Sequence, residues 1–174
     1  GLRWLQANGL DPVFLPFLAL VPFYLLLEAL GVILQGIFGL FGIHLPNIHK
    51  NPMASASLAQ FWGRRWNRWL GEWLRAVGFA PLRRHPVAAT MLVFLISGLW
   101  HEFTFNLPFY LVEGRALFGD MTLYFLLQGA GLLIDHRLPR NVPLLRRAFA
   151  WLVVFGPAPL VINEATLRIF LLQL

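Results

Sequence analysis

The sequence predicts an all-α protein built from about four transmembrane helices and one amphipathic helix at the membrane interface. Hydrophobic residues make up 58% of the 174 residues and charged residues only 13%, and the mean hydropathy of +0.65 is well above the usual balance of soluble domains. Four long apolar tracts carry this hydrophobicity, and the net charge of +6 lies between them. We therefore treat residues 1–174 as a single membrane domain.

The first apolar tract covers residues 13–43 and contains one ionisable residue, Glu28. At about 1.5 Å per helical residue, the tract is longer than the hydrocarbon layer of roughly 30 Å. It therefore predicts one span that is tilted or kinked, with the kinks at Pro16 and Pro22. A tight re-entrant pair of helices is the alternative.

Three further tracts follow along the chain. Residues 87–112 form the second tract, which His101 interrupts. Residues 116–134 form the third. Residues 148–173 form the fourth, which is broken by the Gly-Pro-Ala-Pro sequence at 156–159. Because segments of about 18 or more mainly apolar residues are typical of transmembrane helices, each tract predicts one span.

The basic residues indicate how these spans are oriented. Seven lysine or arginine residues lie in the connection from 44 to 86 and four in the connection from 135 to 147, whereas the link at 113–115 holds only Arg115 beside Glu113. Two spans separate the basic connections, so both are expected on the same side. The positive-inside rule places that side in the cytoplasm and both termini on the opposite side.

The sequence at 57–78 predicts an interfacial amphipathic helix. Ser57 and Gln60 form a capping box that starts the helix, and Gly78 ends it. At about 100° per residue, the tryptophans fall on one face and most arginines on the opposite face. Such a helix is expected to lie in the headgroup plane, where both residue types anchor it.

Two polar residues are candidate functional groups. His101 lies roughly 20 Å along the second tract if that tract is helical, and ionisable residues at this depth are functional-site hypotheses by default. Removal from water favours the neutral imidazole, which can accept a proton as a general base does. Asn67 lies at the seam between the two faces of the amphipathic helix, where its amide could reach between spans. For both residues the alternative is structural, namely a hydrogen bond to a neighbouring helix.

Several other chemistries have little or no support in the sequence. The chain has no cysteine, which excludes disulfides, thiolate nucleophiles and cysteine-bound metals. The sequence HEFTF at 101–105 lacks the second histidine of a zinc-protease motif, so we expect no metal. Ser97 and His101 share a helical face, but the sharp turn that usually carries a nucleophilic serine is missing. Basic charge between apolar tracts suits anionic headgroups better than nucleic acid.

Two stretches of sequence carry a resemblance to a known family. The sequence SLAQFWGRRWN at 57–67 and the sequence FLISGLWHE at 94–102 resemble the wax synthase branch of the membrane-bound O-acyltransferase superfamily. The resemblance covers roughly residues 50–174 and corresponds to the C-terminal catalytic part of that family. It implies a multi-pass helical membrane fold, in agreement with the hydropathy pattern.

The resemblance also implies a reaction and a set of residues for it. A fatty acyl group would pass from acyl-CoA to the hydroxyl of a long-chain alcohol, giving a wax ester and free CoA. His101 would be the catalytic base, and Asn67 would orient the acyl donor or stabilise the oxyanion. Arg64 and Arg65 would receive the CoA phosphates. The predicted substrate-binding residues are Arg64, Arg65, Trp62, Trp66, Ser97 and Glu102. No cofactor is expected beyond the acyl-CoA substrate.

One departure from the family leaves alternatives open. Its members are longer and have additional N-terminal spans, so this chain is a C-terminal piece, or assembles with copies of itself or another subunit, or is an inactive relative. A non-catalytic membrane scaffold is the rival function, and another lipid hydroxyl is the alternative acceptor. The preference for arginine over lysine favours a bacterial inner membrane, with the endoplasmic reticulum as the eukaryotic equivalent.

Overall fold

The computed structural model describes residues 11–169, so residues 1–10 and 170–174 of the predicted domain, with the end of the fourth tract, lie outside the described residues. Within the described range the chain forms helices and no strand, and the all-α multi-pass prediction is confirmed. The α-helices are α1 (Leu15–Leu40), α2 (Leu58–Gln60), α3 (Arg68–Leu74), α4 (Pro86–His101), α5 (Leu107–Glu113), α6 (Asp120–Asp135), α7 (Pro143–Phe155), α8 (Ala158–Val161) and α9 (Glu164–Leu167).

Between residues 11 and 167, three π-helical segments interrupt the α-helices. They are Phe61–Arg65, Arg75–Phe79 and Glu102–Asn106. Short 3-10 turns cover Pro12–Phe14, Pro52–Ala54 and Ala80–Leu82. The first π segment ends two residues before Asn67, and the third begins directly after His101. Because π-helical turns are rare and frequently mark functional sites, both positions are of interest.

Three stretches of residues 11–169 are long and apolar enough to cross a membrane, one fewer than predicted. They are Leu15–Leu40, Pro86–Glu113 and Pro143–Val161. The predicted third span at 116–134 is not among them. Its helix, α6, has 16 residues, and a helix of that length measures about 24 Å, less than the hydrocarbon layer of roughly 30 Å. The last of the three spans begins at Pro143, five residues before the predicted start of the fourth tract.

Helix α1 confirms the prediction of a single helix for the first apolar tract. Pro16 lies in its first turn, where a missing N–H is tolerated, and Pro22 lies inside the helix. Most of its side chains are at least partly exposed, and the buried ones are Ala19 and Gly31. The surface of α1 is therefore suited to contact with lipid.

After α1 the chain folds back along it as a non-helical stretch, residues 44–51, which we call the return segment. Gln35 of α1 donates from Nε2 to the Leu45 carbonyl at 3.3 Å. Farther along, Ile48 packs against Gly31 so closely that an added Cβ there would lie 2.7 Å from Ile48 Cγ2. The sequence places this stretch in a connection outside the spans. In the structure it follows α1 back toward its middle, because a glycine leaves room for it.

Helices α4 and α6 pack tightly against each other, and glycines permit the close approach. A Cβ added at Gly98 would lie 2.7 Å from Thr122 Cα, and one added at Gly129 would lie 3.1 Å from Met91 Sδ. The Thr122 atom belongs to the backbone and cannot move unless α6 moves with it. The glycine three residues before His101 is therefore required by helix packing.

Replacing Gly98 with alanine is expected to destabilise the protein by about 1–3 kcal/mol, because the new methyl group overpacks the contact between α4 and α6. The free energy of unfolding in mixed detergent micelles measures this effect. Gly36→Ala is the matched control, since nothing lies within 4 Å of a Cβ added there. Alanine is the better helix former, so the control should be neutral or slightly stabilising. Equal stability of the two variants would contradict the proposed packing role.

The two basic connections meet at one end of the molecule. The carboxylate of Asp135 is fully buried, pairs with Arg146 at 3.0 Å and accepts the backbone N–H of Ala59 at 3.1 Å. Arg147 donates from Nε to the Ser55 carbonyl at 3.3 Å. These contacts join the connection at 44–86 to the connection at 135–147 and agree with the prediction that both lie on one side. The assignment of that side to the cytoplasm stays a prediction.

Candidate active site

The predicted helix at 57–78 is wrong in its continuity. The π segment Phe61–Arg65 is followed by Trp66, which has an extended backbone (φ −91°, ψ 133°), and Asn67 adopts a left-handed conformation (φ 32°, ψ 67°). Helix α3 begins directly afterwards at Arg68. Asn67 is therefore the N-cap of a new helix and does not lie on the seam of a continuous one. The placement of this region in the headgroup plane stays a prediction.

The predicted capping at the start of α2 is confirmed, with one difference. The Ser57 hydroxyl accepts the backbone N–H of Gln60 at 3.1 Å, as a capping box requires. The Gln60 side chain accepts the N–H of Ala56 at 2.6 Å instead of the N–H of Ser57. The cap fixes where the helix begins at the start of SLAQFWGRRWNRW, residues 57–69, which we call the motif.

One arginine and one tryptophan of the motif bind the return segment. Arg65 donates from Nη1 to the carbonyls of Lys50 and Asn51, at 3.0 and 2.9 Å. Trp69 donates from Nε1 to the Pro46 carbonyl at 2.8 Å. The Asn51 carbonyl also accepts the N–H of Ala54 at 3.1 Å. The motif thus adds hydrogen bonds to three carbonyls of a non-helical stretch. Arg65 thus has a structural role here, and its predicted contact with CoA phosphates stays a prediction.

Two tryptophans of the motif pack against the protein interior. Trp62 donates from Nε1 to Gln128 Oε1 at 3.2 Å and meets the Phe94 ring edge-on, with centroids 5.6 Å apart. Trp66 stacks on Phe61 with centroids 5.4 Å apart. Both tryptophans are partly buried, and Trp62 contacts residues of α4 and α6. Their predicted role in substrate binding stays a prediction.

The Asn67 side chain uses only its oxygen in the fold. Oδ1 accepts the backbone N–H of Leu70 at 3.2 Å, which caps α3. Within residues 11–169, the Nδ2 amide has no hydrogen-bond partner, so its two N–H groups remain available as donors. Asn67 therefore combines a cap that fixes its position with an amide that can bind another molecule.

His101 lies at the C-terminal end of α4, inside the span Pro86–Glu113, with a half-buried side chain. Its Nδ1 is 2.7 Å from the Ser97 carbonyl oxygen. Because a carbonyl only accepts hydrogen bonds, Nδ1 must carry the proton, and the neutral ring then has an unprotonated Nε2. Nε2 has no partner within residues 11–169. The geometry thus leaves one basic nitrogen in an apolar span.

Aromatic rings connect His101 to the part of the motif that precedes Asn67. The imidazole lies against Phe125 of α6 with centroids 4.4 Å apart, and against Phe105 at 5.8 Å. Trp62 lies 6.0 Å from the same Phe125 ring. Phe125 therefore brings the end of α4 and the motif into one aromatic cluster. A shared role of His101 and Asn67 stays a prediction.

Glu102 caps α6. Its Oε1 accepts the backbone N–H groups of Gly119 and Thr122, at 2.9 and 3.0 Å. Its Oε2 accepts from Asn106 Nδ2 at 2.6 Å. A carboxylate at a helix N-terminus satisfies free N–H groups and is stabilised by the helix dipole. Substrate binding by Glu102 stays a prediction.

The sequence reasoning assigned no role to several buried amide side chains. Gln128 accepts a hydrogen bond from the Trp62 indole N–H and donates to the Val153 carbonyl at 2.7 Å. Asn106 accepts from Asn163 Nδ2 at 3.2 Å. The signal in the sequence is the presence of amides within apolar tracts, because such groups need internal partners in lipid.

Two basic grooves lie beside the motif and share Arg64. The first groove has a volume of about 280 Å³, and its charged lining residues are Lys50, Arg64, Arg68, Glu72 and Arg75. The second, of about 440 Å³, is lined by Arg64, Arg140 and Arg146. Arg64 is exposed and makes no hydrogen bond or ion pair within residues 11–169. An anion in either groove would therefore find an unoccupied guanidinium. No three metal-ligating side chains cluster in the described part of the chain.

The fold and this site together define a multi-pass α-helical membrane protein with a histidine inside one span whose Nε2 has no partner within residues 11–169. Residues 45–130, which include both the motif and His101, match the model of the membrane bound O-acyl transferase family. The chain belongs to this family, in its wax synthase branch. No solved structure matches the chain.

Several relatives in the curated proteins are similar to the chain. One is the probable long-chain-alcohol O-fatty-acyltransferase 7 of Arabidopsis thaliana, 35% identical over 118 residues that cover 61% of this chain and 33% of that protein. Another is the long-chain-alcohol O-fatty-acyltransferase of Simmondsia chinensis, 37% identical over 98 residues, or 51% of this chain and 27% of that protein. The chain thus spans about a third of the length of these relatives.

Proposed function

We propose that this chain carries the catalytic part of a membrane acyltransferase that moves a fatty acyl group from acyl-CoA to the hydroxyl of a long-chain alcohol. The observation that carries the proposal is His101, whose Nδ1 is held by the Ser97 carbonyl at 2.7 Å while Nε2 has no protein partner. The names of the relatives, which describe long-chain-alcohol O-fatty-acyltransferases, support the same reaction.

The proposed reaction is a direct transfer without a covalent acyl-enzyme. Nε2 of His101 takes the proton of the alcohol hydroxyl as its oxygen attacks the thioester carbonyl carbon. The Nδ2 amide of Asn67 donates to the oxyanion that forms there. The carbon–sulfur bond then breaks, and the CoA thiolate receives the proton from the imidazolium. Ester and free CoA are the products, and we propose no cofactor besides the acyl-CoA substrate.

The location of the site inside a membrane protein suits these two substrates. The alcohol and the acyl chain partition into lipid, whereas CoA carries phosphates that stay in water. An apolar span excludes water, which would compete with the alcohol. We propose that the first groove receives the phosphates, with the wax ester released into the bilayer. A bacterial inner membrane or the endoplasmic reticulum is the proposed compartment, and additional spans or further copies of the chain are the proposed partners.

The direct test is to supply membranes containing the chain with labelled acyl-CoA and one acceptor at a time. Hexadecanol, a sterol and diacylglycerol represent the competing hydroxyl acceptors. Ester formation that requires hexadecanol supports the proposal, and ester formation with only another lipid changes the acceptor. If no acceptor yields product, the non-catalytic scaffold is favoured.

Arg64→Ala is expected to raise the KM for acyl-CoA by about tenfold, because one charged hydrogen bond to phosphate is lost. The KM for an S-acyl-pantetheine, which has no phosphate, should not change. Measuring KM for both donors therefore separates phosphate binding from other effects. Arg84→Ala is the control, since this exposed arginine lines neither groove. An equal rise in KM for both donors would contradict phosphate binding at Arg64.

A further inference from the structure

Two ionisable groups, Glu28 and His49, form a contact that the proposed reaction does not use. Glu28 lies near the middle of α1, and His49 lies in the return segment with a fully buried side chain. His49 Nδ1 is 3.0 Å from Glu28 Oε1, close enough for a charge pair, although neither ring nitrogen has a hydrogen bond of normal geometry within the described residues. A carboxylate in a membrane helix is rare and calls for a reason.

The imidazole of His49 is enclosed by aromatic rings. It lies 4.5 Å from the Trp66 ring and 5.3 Å from the Tyr24 ring, measured between centroids. Trp66 also stacks on Tyr24 at 6.3 Å. The ring of His49 therefore contacts Trp66, the residue that immediately precedes Asn67.

Two backbone hydrogen bonds join the return segment around His49 to the turn at Trp66 and Asn67. The N–H of Lys50 donates to the Arg65 carbonyl at 2.8 Å, and the N–H of Arg68 donates to the Ile48 carbonyl at 2.8 Å. The bonded residues in the return segment are the two neighbours of His49. Their partners are the residues directly before Trp66 and directly after Asn67. Because Asn67 has a positive φ, which L-residues rarely adopt, its turn needs such external support.

The chemistry of the pair explains why a phenylalanine would not serve equally well at position 49. Burial lowers the pKa of His49, while the Glu28 carboxylate opposes that shift. An uncharged aromatic ring could fill the space, but it would offer nothing to the carboxylate of Glu28. The imidazole gives Glu28 a polar partner and so ties the return segment to α1 at this level.

We propose that Glu28 and His49 are positioning residues for Asn67. The pair holds the return segment against α1, the His49 ring fixes Trp66, and Trp66 fixes the turn from which the Asn67 amide reaches the reacting thioester. This inference rests on the proposed acyl transfer, in which Asn67 stabilises the oxyanion.

Glu28→Leu is expected to lower kcat for ester formation by about tenfold with the KM for acyl-CoA unchanged, because the amide is misplaced only with respect to the transition state. Glu28→Gln keeps an acceptor oxygen for the imidazole and should restore most of kcat. Gln35→Leu is the matched control, since Gln35 ties the same segment to α1 but contacts neither His49 nor Trp66. Equal kcat losses in Glu28→Leu and Gln35→Leu would show that Glu28 and His49 only attach the return segment to α1, and would overturn the proposal.

Fluorine NMR of the chain labelled with 5-fluorotryptophan gives a readout that does not depend on activity. The resonance of Trp66 is assigned with Trp66→Phe among the seven tryptophans. It should shift in Glu28→Leu and stay in place in Gln35→Leu, and a resonance unmoved in both variants would overturn the proposal. A wild-type chain that makes no ester would count against the proposed function, whereas the effect of Glu28 on Trp66 is measured by the spectrum alone.

Discussion

Replacing His101 with alanine is expected to lower the rate of ester formation by about a hundredfold to ten-thousandfold, the usual contribution of a positioned general base. The reason is that Nε2 of this ring is the proposed acceptor for the hydroxyl proton, with its tautomer fixed by the Ser97 carbonyl. The measurement is kcat in membranes that contain equal amounts of wild-type and variant protein.

His136→Ala provides the control for this experiment. His136 follows α6 directly and is exposed, so its loss should leave kcat unchanged. The free energy of unfolding of both variants shows whether either change disturbs the fold. If His101→Ala and wild type form ester at the same rate, the imidazole is a packing group and the proposed mechanism fails.

Asn67→Asp is expected to reduce kcat by about a hundredfold to a thousandfold, the range found when an oxyanion donor is removed. A carboxylate oxygen can still accept the N–H of Leu70, so the cap of α3 is kept. Aspartate also tolerates a positive φ comparatively well. What the variant lacks is the Nδ2 donor, and in its place it brings a negative charge near the developing oxyanion. Separate determination of kcat and KM, together with unfolding in detergent, distinguishes these effects.

The matched control for Asn67→Asp is Asn51→Asp. Asn51 and Asn67 are the two non-glycine residues with a positive φ in the described chain, at 44° and 32°. The same substitution at position 51 therefore carries the same backbone demand and the same added charge. We expect it to leave kcat close to that of wild type. Similar kcat losses in both variants would indicate that charge alone, and not the loss of the amide donor, lowers the rate.

Hydropathy and capping residues were sufficient to predict several elements. The apolar run that contains Glu28 forms one helix, long enough to cross the hydrocarbon layer, and Ser57 caps α2 as its sequence indicates. His101 lies inside a span because the residues around it are apolar on both sides. These features depend on neighbours in sequence, which a single chain displays directly.

The break at Asn67 and the return segment could not be predicted in the same way. The tryptophans and arginines of the motif repeat with helical spacing, so the pattern favours an uninterrupted helix. What interrupts it is pairing with residues far away in sequence, since the Ile48 carbonyl accepts the N–H of Arg68. Likewise, Glu102 contacts the start of α6, 17 and 20 residues away in sequence. Such partners are set by tertiary packing.

The bond between His101 and the Ser97 carbonyl allows the imidazole to work without turning. In the neutral ring and in the imidazolium alike, Nδ1 carries a hydrogen, so the 2.7 Å contact suits both charge states. In the proposed cycle, only the opposite nitrogen gains and loses a proton. The helix would therefore hold the ring in one orientation, and each proposed turnover would leave the side chain aligned for the next.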